Sequence, residues 1–190
     1  MGRRAAAIGD DETRFRALFG DHYRSVLAYA LRRASRADAD DLVAETFTVA
    51  WRRLADLPTP EYQLAWLYAI AARVLANQRR AQRRRAAFHS RLRGAARVEL
   101  SNGLAARLQL RQVIAALETL RAGDQEILRL VAWEGLTQRQ LALVLDCSEN
   151  AAAIRLHRAR ERLAEKLAKE NDAPGHSMSS GEIQNQGVSG

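Results

Sequence analysis

The sequence is poor in the residues that cross-link, break or decorate a fold. Its single cysteine, Cys147, excludes an internal disulfide and a cysteine-based zinc site. Three prolines in 190 residues, against an abundance of Ala, Leu and Arg, point to an all-α protein. No apolar run is long enough to span a bilayer and no secretory signal pattern opens the chain, so it is expected to be cytoplasmic, with no membrane insertion. Catalytic equipment is equally scarce. There is no glycine-rich phosphate loop, no His/Asp/Glu set with metal-ligand spacing and no nucleophile beside a base, and the four histidines are scattered. Such a chain is not expected to be an enzyme, and it calls for neither a cofactor nor a metal.

Basic charge and helical periodicity are plentiful. The net charge is +8. It is concentrated early, with 16 basic against 10 acidic side chains in residues 1–85 and near balance in residues 111–170. An excess of this kind points to a polyanionic partner, most often nucleic acid. Apolar residues make up 47% of the chain, enough for the core of one ordinary domain or of two small ones.

Residues 1–11 carry no apolar stripe and are expected to be disordered. From about Glu12 to Ala34, Phe15, Leu18, Phe19, Val26, Leu27, Ala30 and Leu31 recur at three- and four-residue spacing, which predicts an amphipathic helix. A turn at "SRADADD" precedes a second helix from about Ala39 to Leu54, which holds Leu42, Val43, Phe47, Ala50, Trp51 and Leu54, with Leu42, Phe47, Trp51 and Leu54 expected mostly in the core. Two prolines in "ADLPTPEY" end it, and a third helix follows from about Glu61 to Arg85. These segments form a first domain over residues 12–86. Periodicity then lapses, so 87–104 reads as a flexible linker. It returns in a second domain over 105–170, in which Asp124 is expected to cap one helix. Residues 171–190 have almost nothing to bury and are expected to be a disordered tail.

The clearest local grammar is "EGLTQRQLALVLDCSENAAAIRLHRARERL". Gly135 permits a tight turn, and Thr137 with Gln140 forms a capping box. Asp146 tolerates the left-handed backbone that ends the short helix, and Ser148 caps the next. Two helices joined this closely make a helix-turn-helix. Ala152, Leu156, Ala159, Leu163 and Leu167 share one face of the second helix, while Arg155, Arg158 and Arg162 share another. Small residues at its start allow close approach to a major groove, where arginines reach guanine edges or phosphates.

Three stretches carry a resemblance: "DADDLVAETFTVAWRRL", "AWLYAIAARVLANQRRAQRRR" and "LTQRQLALVLDCSENAAAIRLHRARERL". In this order and spacing they resemble a bacterial RNA polymerase sigma factor of the sigma-70 family, extracytoplasmic-function (ECF) subgroup, over about residues 12–168. The resemblance implies two small helical domains, region 2 and region 4, acting in transcription initiation. Core RNA polymerase and promoter DNA are the implied partners, with an anti-sigma factor as a third. It assigns polymerase docking to Asp40, Asp41, Glu45 and Arg52 on the first motif. It assigns recognition and opening of the −10 element to Trp66, Arg73, Asn77, Arg80, Arg83 and Arg84, with Tyr68 as a further stacking candidate. The −35 element falls to Asn150, Ala153, Ile154, Arg155, His157, Arg158 and Arg162. Where the family often has T-V-K-S or T-V-R-S, this chain has Ala151, Ala152, Ala153 and Ile154, so two polar side chains that commonly face DNA are absent. The alternative reading is a stand-alone helix-turn-helix regulator, which would bind its DNA without core polymerase.

Overall fold

The computed structural model describes residues 2–86 and 104–171, with side chains from 9 to 82 and from 110 to 169. Every regular element in it is helical: α1 (Gly2–Leu31), α2 (Arg36–Arg52), a single 3-10 turn (Leu54–Asp56), α3 (Pro60–Ala86), α4 (Leu104–Thr119), α5 (Ala122–Ala132), α6 (Gln138–Val144) and α7 (Glu149–Asn171). The expected linker, apart from Leu104, and the expected tail beyond Asn171 lie outside the described residues.

Helices α1, α2 and α3 close around Leu18, Val26, Leu42, Phe47, Leu67, Ile70 and Val74. The apolar stripes read from the sequence account for this core. Their ends differ from the reading. Helix α1 starts at Gly2, inside the segment expected to be disordered. Three adjacent alanines favour helix there, and Thr13 Oγ1 donates to the Gly9 carbonyl while Arg16 pairs with Glu12 one turn away. Helix α2 starts at Arg36 rather than Ala39, because Ser35 Oγ accepts from the Asp38 N–H. Trp51 is not core: it is 41% exposed, edge-on to Phe15 at 5.1 Å between ring centroids. Ala50 fills the inward position, and the next residue is turned about 100° away.

The second half is built around the short helix α6. Thr137 and Gln140 form the expected capping box. Gly135 at φ 65° makes the turn before it, and Asp146 at φ 51° makes the turn after it. Ser148 Oγ accepts from the Ala151 N–H and so starts α7. Asp124 is no cap. Arg121 occupies that position with no side-chain bond, and Asp124 sits within the first turn, accepting both bonds of Arg162 at 3.0 and 2.9 Å.

The two halves dock on each other. Tyr29, Ala65, Tyr68 and Ala71 of α1 and α3 share one buried cluster with Ile127, Leu130, Leu141, Val144, Ala152 and Ala159. Small residues on α3 let α6 approach closely, so α3 lies sandwiched between α1 and α2 on one side and α6 on the other.

Candidate nucleic-acid interface

Three surfaces gather the side chains singled out by the sequence. On α2, Asp40, Asp41, Glu45 and Arg52 are all exposed. Glu45 accepts from Gln78 Nε2 at 3.2 Å, so this acidic face borders the outer side of α3. Like charges four residues apart cost an isolated helix a few tenths of a kcal/mol, and among the described residues Asp41 and Glu45 have no basic partner.

On α3 the arrangement is mixed. Arg73, Asn77 and Arg80 are exposed, and Arg80 donates to Asn77 Oδ1 at 2.6 Å. Trp66 is buried in the first core, with the Arg53 guanidinium 6.0 Å from its ring. Tyr68 is also buried, stacked on Tyr29 at 5.0 Å where the halves meet, and so is not available to stack a base in this arrangement. Arg83 and Arg84 lie in the last turns of α3, beyond the described side chains.

On α7, the buried residues Ala152 and Ala159 and the half-buried Leu156 and Leu163 hold one face inward. The opposite face carries Asn150, Ile154, His157 and Arg158, all exposed, with Arg155 beside them. Helix α6 fixes the start of this helix. Arg139 Nε donates to Glu149 Oε1 at 2.9 Å, and Gln138 Nε2 donates to the Glu149 carbonyl at 3.2 Å. His157 meets Glu161 at 3.2 Å. Arg162 is held by Asp124, which sets it apart from Arg155 and Arg158, neither of which has a side-chain partner among the described residues.

What holds these surfaces together is a buried ion-pair cluster between the halves. Arg33, at the end of α1, has no exposed side-chain surface. Its Nε donates to both carboxylate oxygens of Glu126 at 3.0 Å, and its Nη1 donates to Glu134 Oε1 at 2.8 Å and to the Tyr29 carbonyl. Arg32 pairs with the other oxygen of Glu134, and the Tyr29 hydroxyl donates to Glu126 at 3.1 Å. Burial works against the Arg33 charge, but Glu126 and the hydrogen bonds outweigh it and raise its pKa. Burial, reinforced by the charge of Glu134, pushes Tyr68 up to about 12, so its hydroxyl stays protonated. The one signal available was position. Arg33 continues the spacing Val26, Tyr29, Ala30 into the apolar face of α1, where a charge needs a partner.

A second set of bonds crosses nearer the surface. Arg73 Nη2 donates to Asp146 Oδ2 at 3.0 Å, Gln140 Nε2 donates to the Glu61 carbonyl at 2.9 Å, and Arg139 meets the Tyr62 hydroxyl at 3.4 Å.

Residues 18–85 match the family described as Sigma-70 region 2, and residues 110–163 match Sigma-70 region 4. The sigma factor CnrH of Cupriavidus metallidurans is 32% identical over 152 residues, covering 71% of this chain and 79% of that one. The chain belongs to the sigma-70 family of RNA polymerase sigma factors, in the ECF subgroup. The ECF sigma factor SigL of Mycobacterium tuberculosis is 28% identical, with 84% of this chain and 92% of SigL covered. Among solved structures, the sigma factor RpoE in complex with the anti-sigma factor NepR from Bartonella quintana aligns with a TM-score of 0.65 at 25% identity. That alignment covers 81% of this chain and 96% of RpoE. Region 2 therefore corresponds to α1–α3, and region 4 to α4–α7. Among the described residues of this ECF sigma factor, no helix is long and apolar enough to cross a membrane, and no group of acidic, His and Cys side chains is placed to hold a metal.

Proposed function

We infer that this ECF sigma factor brings core RNA polymerase to promoters, reads their −10 and −35 elements and helps to open the DNA for transcription initiation. The observation that carries this is the presence, in one chain, of region 2 and a fully capped helix-turn-helix whose outer face is exposed among the described residues. Asp40, Asp41, Glu45 and Arg52 form the docking surface for basic residues of the polymerase. Asn77 and Arg80, with Arg73, Arg83 and Arg84 along α3, hold the −10 strand, and Trp66 supports that helix from within its core. Asn150, Ala153, Ile154, Arg155, His157 and Arg158 meet the −35 duplex, and Arg162 braces α7 from its side. The protein works in the cytoplasm as a subunit with no catalysis of its own. An anti-sigma factor, the class of partner bound to RpoE in its complex, restrains it.

The two elements stand about 25 base pairs apart, roughly 85 Å at about 3.4 Å per step. Docked halves cannot reach both, so region 2 and region 4 separate on the promoter. The test is run-off transcription with purified core polymerase and a promoter selected from a random library. Transcription that requires the chain and both elements is expected. Tight, specific DNA binding without core polymerase, and no stimulation with it, would establish the stand-alone regulator instead.

A further inference from the structure

Ile154 lies where an aliphatic side chain has nothing to gain in the free protein. It is 43% exposed, in the second turn of α7, on the side directly opposite the buried pair Ala152 and Ala159. Asn150 stands one turn before it and Arg158 one turn after, on the same line along the helix. Ala151 and Ala153 beside it are short and half-buried, so Ile154 stands proud of both. Glu149, the one acidic side chain nearby in the first turn, is tied back to Arg139 and withdrawn from the face.

A face of this composition has an apolar tip bracketed by an amide and a guanidinium. In the major groove, amides and guanidinia are suited to the hydrogen-bonding edges of purines, and the 5-methyl of thymine is the one apolar group on offer. We propose, resting on the reading of α7 as the −35 helix, that Ile154 is a specificity-determining residue that selects thymine by packing against its methyl group. The polar side chains missing from Ala151–Ile154 are thus replaced by apolar readout, and the preferred −35 element contains a thymine, or two adjacent ones, between the bases met by Asn150 and Arg158. A protein partner at Ile154 is disfavoured by the polar groups on either side of it, which would need to be desolvated with no apolar surface gained around them.

The test uses the full chain bound to core polymerase. Binding-site selection first defines the −35 sequence, and each thymine in it is then replaced singly by deoxyuridine, which removes only the methyl group. One buried methyl is worth roughly a fourfold change in Kd. The wild-type holoenzyme is expected to lose about that factor at one position, or at two adjacent ones, and to be indifferent elsewhere. Ile154→Ser, which leaves helix propensity nearly unchanged, is expected to be indifferent to deoxyuridine everywhere and to relax the preference at that same position. Selection of a −35 sequence with no deoxyuridine effect overturns the proposal while leaving region 4 as a DNA reader. Loss of polymerase affinity in Ile154→Ser on any DNA overturns it in favour of a protein contact. Failure to select any −35 sequence overturns the assignment of α7 and this inference together.

Discussion

Helices α3 and α7 both carry the arginines expected to meet promoter DNA, yet they are left in different states. On α3, Arg73 is bonded to Asp146 of the other half, Arg79 to the Arg33 carbonyl and Arg80 to Asn77. On α7, among the described residues, Asn150, Arg155 and Arg158 have no side-chain partner, and Ile154 stands clear between them. The docking of the halves thus engages Arg73 on α3 and spares the outer face of α7. A duplex −35 element can approach α7 without rearrangement. A strand to be opened along α3 meets a helix whose flank is already covered by α6.

The largest effect should come from the buried lock that maintains this asymmetry. Arg33→Ala leaves Glu134, whose side chain is 1% exposed, with Arg32 as its one described basic partner, and leaves Glu126 with the Tyr29 hydroxyl but no described cation. Removing one partner of a buried pair costs about 3–5 kcal/mol. Separation of the halves would rehydrate both carboxylates, so the loss should appear as undocking rather than unfolding. Small-angle scattering should show an expanded chain with unchanged helical circular dichroism. If the variant stays compact, the apolar cluster alone holds the halves and the lock is dispensable.

Next in size is the docking surface on α2, which the closed arrangement leaves open. Asp41→Arg with Glu45→Arg reverses two exposed charges that have no basic partner among the described residues, so stability should change by less than about 1 kcal/mol. Affinity for core polymerase should fall at least roughly tenfold, through the loss of two attractions and the gain of two repulsions. Unchanged affinity measured by fluorescence polarisation would remove the docking role. A smaller effect is expected on α3, where Asn77→Ala and Arg80→Ala break an exposed local bond. Recruitment should persist while permanganate reactivity of the −10 region declines several-fold in each single variant, at about 1 kcal/mol per lost contact. Equal losses in both steps would make these residues general anchors.

Much of this comparison was legible beforehand, and the reason is range. The capping box of Thr137 and Gln140, the left-handed turns at Gly135 and Asp146 and the cap at Ser148 depend on neighbours within four residues. The sequence displays such neighbours directly. The apolar stripes of α1, α2 and α3 are equally local. Arg33 and Glu134 are separated by 101 positions, and nothing in either segment announces the other. Trp51 and Tyr68 show the same limit on a smaller scale. Their hydrophobicity was evident, but Trp51 is turned outward because Ala50 takes the inward position on α2, and Tyr68 lies between the halves because α6 docks on α3. Arg162 looked like one more groove arginine until Asp124, 38 residues earlier, came within 2.9 Å.

The smallest effect should come from the outer end of the same interface, and it separates the two ways the halves are joined. The Arg73–Asp146 pair is 56% and 84% exposed, a geometry in which an ion pair contributes about 0–1 kcal/mol. Asp146 also holds φ 51°, a left-handed conformation that costs a residue with a Cβ up to about 1–2 kcal/mol, less for Asp than for most. Asp146→Gly removes both the pair and the strain, so stability should stay within about 1 kcal/mol of the wild type. Asp146→Ala removes the pair but keeps the Cβ, and should be the less stable of the two variants. The difference between them measures the backbone, and what they share measures the ion pair. Neither variant should expand the chain in scattering, because Arg33, Glu126 and Glu134 are untouched. Undocking by Asp146→Gly as complete as that by Arg33→Ala would mean that the surface pair, and not the buried one, decides whether α3 is covered.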